Sequence, residues 1–150
     1  MVAVARFRAM HIPPFSLFSA ISELFVTAGV FYVIRRNWIQ KPFPFALFLT
    51  VSLFEALVNV MYMANRSAAA SAPGAKEALS TGMKIAYAGH GLLSLVAYLV
   101  FVVLGVLAYQ EQKAGRWFFR ERPALTWTFL VVWVISIGSG ETIFALRYLV

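Results

Sequence analysis

The chain has 150 residues, of which 61% are hydrophobic, 16% aromatic and only 13% charged, and its mean hydropathy is +0.78. This composition excludes a water-soluble domain, because too few polar residues remain to cover a surface. A membrane-spanning helix needs about 20 largely apolar residues. The length therefore accommodates four spans and no soluble domain, and we predict one all-α domain over residues 1–150, an integral membrane four-helix bundle with up-down topology.

The net charge of +7 lies almost wholly in the connections between the apolar segments. That placement is typical of contacts with anionic lipid headgroups and gives no support for nucleic-acid binding. The chain has no cysteine, which excludes disulfides, iron–sulfur clusters and thiolate metal sites. Any metal would have to be held by nitrogen and oxygen ligands.

Four apolar segments are predicted as helices. Pro13–Pro14 mark the start of the first and Arg35–Arg36 its end, and Pro42 and Pro44 mark the start of the second. The polar connection over residues 65–82 is predicted as a surface loop with a short interfacial helix around Lys76–Leu79. The connection before the last helix combines basic residues with Trp117, Phe118 and Phe119, which predicts a segment lying at the membrane interface. The predicted helices cover residues 13–34, 43–64, 84–109 and 124–149.

Each predicted helix carries one ionisable residue: Glu23, Glu55, His90 and Glu141, in chain order. An ionisable group inside a bilayer is costly, so each is a candidate functional residue. All four lie about six to ten residues from the same end of the bundle, at a rise of 1.5 Å per residue. We therefore expect the four side chains to lie at one level.

Helical spacing gives each of these residues polar or small companions on its own face. Glycines in the third helix, Gly89, Gly91 and Gly105, are predicted to permit close helix approach. The predicted faces are Ser16, Ser19, Glu23 and Thr27; Ser52, Glu55, Asn59 and Tyr62; His90, Ser94 and Tyr98; and Trp127, Gly138, Glu141, Ala145 and Tyr148.

Three interpretations of this level stay open. Carboxylates and histidine from several helices can hold a metal, and histidine is the usual haem ligand, with His90 as the ligand here. Alternatively, the level is a proton relay or binds a quinone headgroup. In the third interpretation the glutamates are neutral and hydrogen-bond neighbouring helices together. The Glu-x-x-His signature of di-metal bundles is absent from all four segments, which weakens the metal interpretation.

No Gly-rich phosphate loop and no Ser/His/Asp set is present. The sequence therefore gives no support for hydrolytic or nucleotide chemistry, and we expect no catalytic activity from the chain alone. His11, next to the Pro13–Pro14 pair, is predicted to be a solvated surface residue.

Short motifs resemble a family of small four-helix bacterial membrane proteins associated with haem–copper oxidases, which includes the CtaM-type oxidase maturation factors. The similar positions are Trp133, Ser139–Gly140 and Phe144 in the last helix, Tyr87 and His90 in the third, and the Arg35–Arg36 pair. Family members carry further histidines where this chain has Lys41–Pro42, Tyr62–Met63 and Arg120–Glu121–Arg122. The resemblance implies a divergent member that keeps only His90 of that set.

Two functional hypotheses follow, and a third ranks lowest. The resemblance implies an accessory or assembly subunit of a bacterial respiratory complex, whose partners are other membrane subunits and lipid. The rival is a haem- or metal-binding redox subunit with its site at Glu23, Glu55, His90 and Glu141. The third is a proton or solute transporter. The first and third connections hold seven Lys and Arg residues against six elsewhere, which predicts that both termini lie outside. The resemblance implies the bacterial plasma membrane.

Overall fold

The computed structural model describes residues 12–71 and 80–149. These residues form helices and turns and contain no β-strand, which confirms the predicted all-α class. The prediction for Lys76–Leu79 and that for His11 lie outside the described residues. The helices are α1 (Pro14–Trp38), α2 (Phe45–Ser71), α3 (Thr81–Lys113), α4 (Phe118–Glu121) and α5 (Pro123–Tyr148).

Local signals explain where the long helices begin. Pro14 and Pro123 occupy the first turns of α1 and α5, where the missing N–H group is not needed for a helical hydrogen bond. The Ser80 hydroxyl caps α3 by accepting a hydrogen bond from the backbone N–H of Met83, at 3.3 Å. The predicted starts at 13, 43 and 124 therefore lie within two residues of the observed ones, and α3 begins three residues earlier than predicted.

The four long helices form an up-down bundle in which α1 packs against α2 and α5, and α3 packs against α2 and α5. Each neighbouring pair is antiparallel. For example, Ser16 near the start of α1 lies 3.3 Å from the Tyr148 hydroxyl near the end of α5. His90 near the start of α3 likewise reaches Ser139 near the end of α5. The fold therefore brings the start of α1, the end of α2, the start of α3 and the end of α5 together.

All four long helices are long and apolar enough to cross a membrane. Large apolar side chains cover their outer faces, including Phe25, which is 75% exposed, and Ile85, which is 68% exposed. A surface of this kind fits lipid and not water. The protein is accordingly a multi-pass helical membrane protein.

An aromatic cluster fills the bundle between its middle and the end where α4 lies. The Phe101 ring packs against Phe48, Phe129 and Trp133, with centroid distances of 5.3 to 6.2 Å. The Phe48 ring lies so close to Gly105 that a Cβ atom there would overlap it. Gly105 thus permits close packing as predicted, whereas a Cβ at Gly89 or Gly91 would meet nothing within 4 Å.

The short helix α4 closes this end of the bundle. The Phe119 backbone N–H donates to Asn37 Oδ1 at 3.0 Å, and the Thr126 hydroxyl donates to the Phe119 carbonyl at 2.8 Å. Phe119 and Asn37 are fully buried. We refer to Asn37, Phe118, Phe119 and Thr126 as the closed end.

A charged pair borders the closed end. Both Arg122 Nη atoms donate to the Glu111 carboxylate, at 2.8 and 2.9 Å, and Arg116 lies 3.7 Å from it. Hydrogen bonding to Glu111 raises the pKa of Arg122 above its ordinary value. The guanidinium, which is always charged in proteins, lies over the Phe118 ring at 4.4 Å.

Two predicted helix ends were wrong. The helix predicted to end at Ala64 continues to Ser71, and that predicted to end at Tyr109 continues to Lys113. Phe118 and Phe119, in the segment predicted to lie at the membrane interface, are buried against the long helices. The reason is that Asn37 and Thr126 satisfy the backbone of α4, so this polar turn can enter the bundle with its aromatic side chains.

Candidate functional site

A cavity of about 720 Å³ lies between the long helices at the end opposite to the closed end. Its walls reach from Ser16, Lys84 and Tyr148 near the helix ends to Trp133. We refer to it as the bundle cavity. All four ionisable residues predicted to meet line it: Glu23, Glu55, His90 and Glu141.

Serine side chains orient the His90 ring. Its Nδ1 atom lies 2.9 Å from the Ser139 hydroxyl and 3.4 Å from that of Ser94. The single proton of the Ser139 hydroxyl is donated to the Ser136 carbonyl at 2.7 Å, so that hydroxyl can only accept from the histidine. Nδ1 therefore carries a proton, and Nε2 is the nitrogen left for chemistry in the cavity.

The missing side chain of Gly140 makes room for His90 and Glu23. A Cβ atom at Gly140 would lie 2.7 Å from His90 Cε1, 3.1 Å from His90 Nε2 and 3.3 Å from Glu23 Oε2. The free side of the imidazole and the carboxyl of Glu23 therefore occupy the same small space. Any larger residue at position 140 would displace one of them.

Three carboxyl groups, from three different helices, line the bundle cavity: those of Glu23, Glu55 and Glu141. The Glu55 carboxylate accepts a hydrogen bond from Asn59 Nδ2 at 2.9 Å, whereas Glu141 Oε1 is buried and, within the described parts of the chain, has no hydrogen-bond partner. Three carboxylates in a membrane interior require compensating protons or cations.

Tyrosines and cations surround the outer part of the cavity. Arg147 Nη1 donates to the Tyr87 hydroxyl at 2.8 Å, and the same guanidinium lies 5.4 Å from the Tyr148 ring centre. The exposed Lys84 belongs to the cavity wall. Basic side chains therefore lie at or beside the outer part of the cavity, and the carboxyl groups of the three glutamates lie deeper.

The interpretation of the glutamates as interhelical hydrogen-bonding groups is not supported by their contacts. The bond between Asn59 and Glu55 lies within α2, and across residues 12–71 and 80–149 neither Glu23 nor Glu141 has a hydrogen bond. His90, in contrast, joins α3 to α5 through Ser139. The helices are also joined by the Trp133 indole, which donates to Thr27 at 3.2 Å.

The face predicted on α5 lies only partly in the cavity. Glu141 and Tyr148 line the cavity, whereas Trp127 is 61% exposed and a Cβ at Gly138 would meet nothing within 4 Å. The cavity residues on α5 follow steps of three and four from Trp133: Ser136, Gly140, Phe144 and Tyr148, with Glu141 beside them. The spacing of Trp133, Ser136, Gly140 and Phe144 is visible in the sequence. The prediction instead followed a set of residues that includes Trp127 and Gly138.

The residues present do not form a metal site in the observed arrangement. Within the described ranges, no group of three or more His, Cys, Asp or Glu side chains is close enough together to hold a metal ion. Among the described residues, His90 is also the one histidine in the cavity wall. The metal and haem interpretation of Glu23, Glu55, His90 and Glu141 stays a prediction without support from the geometry.

Comparison with known proteins identified no relative. No family model matches the chain. No curated protein matches it. No solved structure matches it. The resemblance to the oxidase-associated family therefore stays a prediction from short motifs.

Proposed function

We propose that this protein is a small accessory or assembly subunit of a bacterial respiratory membrane complex, and that it acts through the bundle cavity by binding a small polar ligand or protons. The observation that carries the proposal is that Glu23, Glu55, His90 and Glu141, from four helices, line one cavity. Intramembrane ionisable residues in a shared cavity are typical of functional sites.

The chemistry of the cavity supports proton exchange or binding of a positively charged group. His90 Nε2 faces the space shared with Glu23, and imidazole exchanges protons near neutral pH in water. The three carboxyl groups favour a cation or protons over an anion at their level. A volume of about 720 Å³ is in the range that holds a small organic molecule.

The respiratory role is supported by the position of the residues that carry the family resemblance in the third and last helices. Tyr87, His90, Trp133, Gly140 and Phe144 all line the bundle cavity. Ser139, the remaining residue of the last-helix motif, hydrogen-bonds to His90. Similar residues at one site favour a similar task, which for that family is linked to haem–copper oxidases.

The test is complementation of a deletion strain of the host, with oxidase activity in isolated membranes as the measurement. We expect wild-type chain to restore activity, and His90→Ala and Gly140→Ala to fail although both proteins accumulate in the membrane. Gly138→Ala is the matched control, because its Cβ meets nothing within 4 Å. It should restore activity fully.

Purification of a tagged chain from the same membranes separates the two parts of this proposal. Co-purification of respiratory subunits with both wild type and His90→Ala would support a subunit whose cavity is its working site. Wild-type protein that purifies alone, with unchanged oxidase activity in the deletion strain, would contradict the respiratory role. Full activity of both cavity variants would contradict the role of the cavity.

We also propose that the chain lies in the bacterial plasma membrane with both termini outside, on the basis of its basic first and third connections. The absence of native cysteine permits a direct test with single cysteines. Ala114→Cys should be protected from an impermeant thiol reagent in intact cells, and Gly82→Cys should react. The reverse pattern would contradict the proposed orientation.

A further inference from the structure

A second concave surface lies outside the bundle cavity, on the lipid-facing side between α1 and α5. This groove has a volume of about 560 Å³ and is lined almost wholly by apolar side chains. It begins beside Trp38 and Trp127 and ends beside Phe31 and Ile135. We refer to it as the α1–α5 groove.

One positively charged side chain, Arg35, belongs to the groove wall. Over residues 12–71 and 80–149 all ion pairs are made by Glu111 with Arg116 and Arg122, so Arg35 has no carboxylate partner there. The neighbouring Arg36, by contrast, donates to the Tyr32 hydroxyl and the Pro42 carbonyl. Arg35 is thus available to bind a negatively charged group of a ligand in the groove.

The groove fits the depth of one membrane leaflet. The nine residues from Trp127 to Ile135 span about 12 Å, at a rise of 1.5 Å per residue, and half of a hydrocarbon core is about 15 Å thick. Tryptophan is enriched at the level of lipid headgroups. Trp38 and Trp127, whose ring centres are 6.4 Å apart, therefore mark the headgroup end of the groove, beside Arg35.

The side chains of the groove favour an acyl chain over a helix from another protein. Helices that pack in membranes approach each other through Gly, Ala, Ser and Thr. Of these types the groove wall contains Thr126 alone, which is buried and donates its hydroxyl to backbone carbonyls of this chain. Its walls consist of large residues such as Phe31, Leu130 and Ile135. A thin, flexible hydrocarbon chain can follow such a surface.

We propose that the α1–α5 groove binds one chain of an anionic phospholipid whose headgroup contacts Arg35. Charge supports this choice, because this end of the bundle carries seven Lys and Arg residues against Glu111 and Glu121. The proposal does not depend on the function of the bundle cavity.

The test is native mass spectrometry of protein taken from vesicles of equal parts phosphatidylglycerol and phosphatidylcholine. Wild-type protein should retain phosphatidylglycerol preferentially. Arg35→Gln should lower that preference about fivefold, the effect of one basic residue near an anionic lipid surface. Arg120→Gln, at an exposed position of the same basic region but outside the groove wall, is the control and should keep the preference.

A second pair of variants tests the groove itself. Val131→Trp should fill it and remove the retained lipid, whereas Val103→Trp, on the outer face of α3 with almost the same exposure of 56% against 55%, should not. Equal retention of the two lipids by wild type would overturn the proposal. So would wild-type lipid retention in both Arg35→Gln and Val131→Trp, or a second polypeptide found in the groove.

Discussion

The closed end and the bundle cavity use polar side chains in opposite ways. At the closed end, Asn37 and Thr126 hydrogen-bond to the backbone of Phe119, and all three residues are buried. In the bundle cavity, Glu23 and Glu141 meet neither a hydrogen bond nor a cation across residues 12–71 and 80–149. The first arrangement holds the helices together, and the second leaves carboxyl groups available to bind protons or a ligand.

This difference distinguishes the residues that stabilise the bundle from those that are available for function. Aromatic packing and the hydrogen bonds of Asn37 Oδ1 and the Thr126 hydroxyl to Phe119 fix one end, so the other end can keep ionisable groups that contribute nothing to packing. Changes at the closed end should therefore lower stability. Changes in the cavity should alter function with little effect on stability.

The largest expected effect is that of Phe119→Ala. Removal of a fully buried ring leaves a cavity, and we expect the free energy of unfolding to fall by about 3 kcal/mol. Unfolding in mixed detergent micelles, followed by circular dichroism, measures it. Phe25→Ala removes a ring that is 75% exposed and should change stability little. Equal losses of unfolding free energy in the two variants would contradict the stabilising role of the closed end.

A smaller loss is expected where the closed end continues into the aromatic cluster. Gly105→Ala places a Cβ within the Phe48 ring, and such overpacking typically lowers the free energy of unfolding by about 1–3 kcal/mol. The same micelle assay applies. Gly138→Ala is the control and should not lower stability, because its Cβ meets open space.

The smallest stability effect is expected in the bundle cavity. His90→Ala removes the bond to Ser139, and interhelical hydrogen bonds in membranes average about 0.6 kcal/mol. Stability should therefore fall by less than about 1 kcal/mol while complementation is lost. His90→Gln sharpens the result, since recovery of function by the amide would assign His90 a hydrogen-bonding role alone.

Glu141→Gln, in the same cavity, tests whether function needs an ionisable side chain at this position or only one of the same size. The amide keeps the size of the side chain but removes the ionisable group, so the bundle should stay as stable as wild type. We expect loss of oxidase activity in the complementation assay. Full activity of this variant would show that the charge of Glu141 is not needed.

Much of the fold and part of the site follow from the sequence because both depend on local periodicity. Apolar length gave four spanning helices, and equal distances from the helix ends brought Glu23, Glu55, His90 and Glu141 to one cavity. Long-range contacts were not predictable in this way. Nothing near Asn37 indicates that it accepts a hydrogen bond from Phe119, 82 residues later.

The inner face of α5 shows a different limit. Its outer surface is as apolar as its inner one, with Val131, Val134 and Ile135 all more than half exposed. In lipid, hydrophobicity does not separate the two faces of a helix. Small residues such as Ser136 and Gly140 mark the inner face instead, and these are the positions that hydropathy does not reveal.

The most direct test of the account is whether water and polar ligands reach the level of His90 through the bundle cavity. Gly91→Cys and Gly89→Cys form a matched pair, because both positions have room for a Cβ but only Gly91 lines the cavity. A thiol reacts as its thiolate, which requires a polar environment. We predict that a cationic, water-soluble methanethiosulfonate modifies Gly91→Cys rapidly and Gly89→Cys hardly at all. Equal rates at the two positions, or no reaction at Gly91→Cys, would contradict a polar intramembrane site.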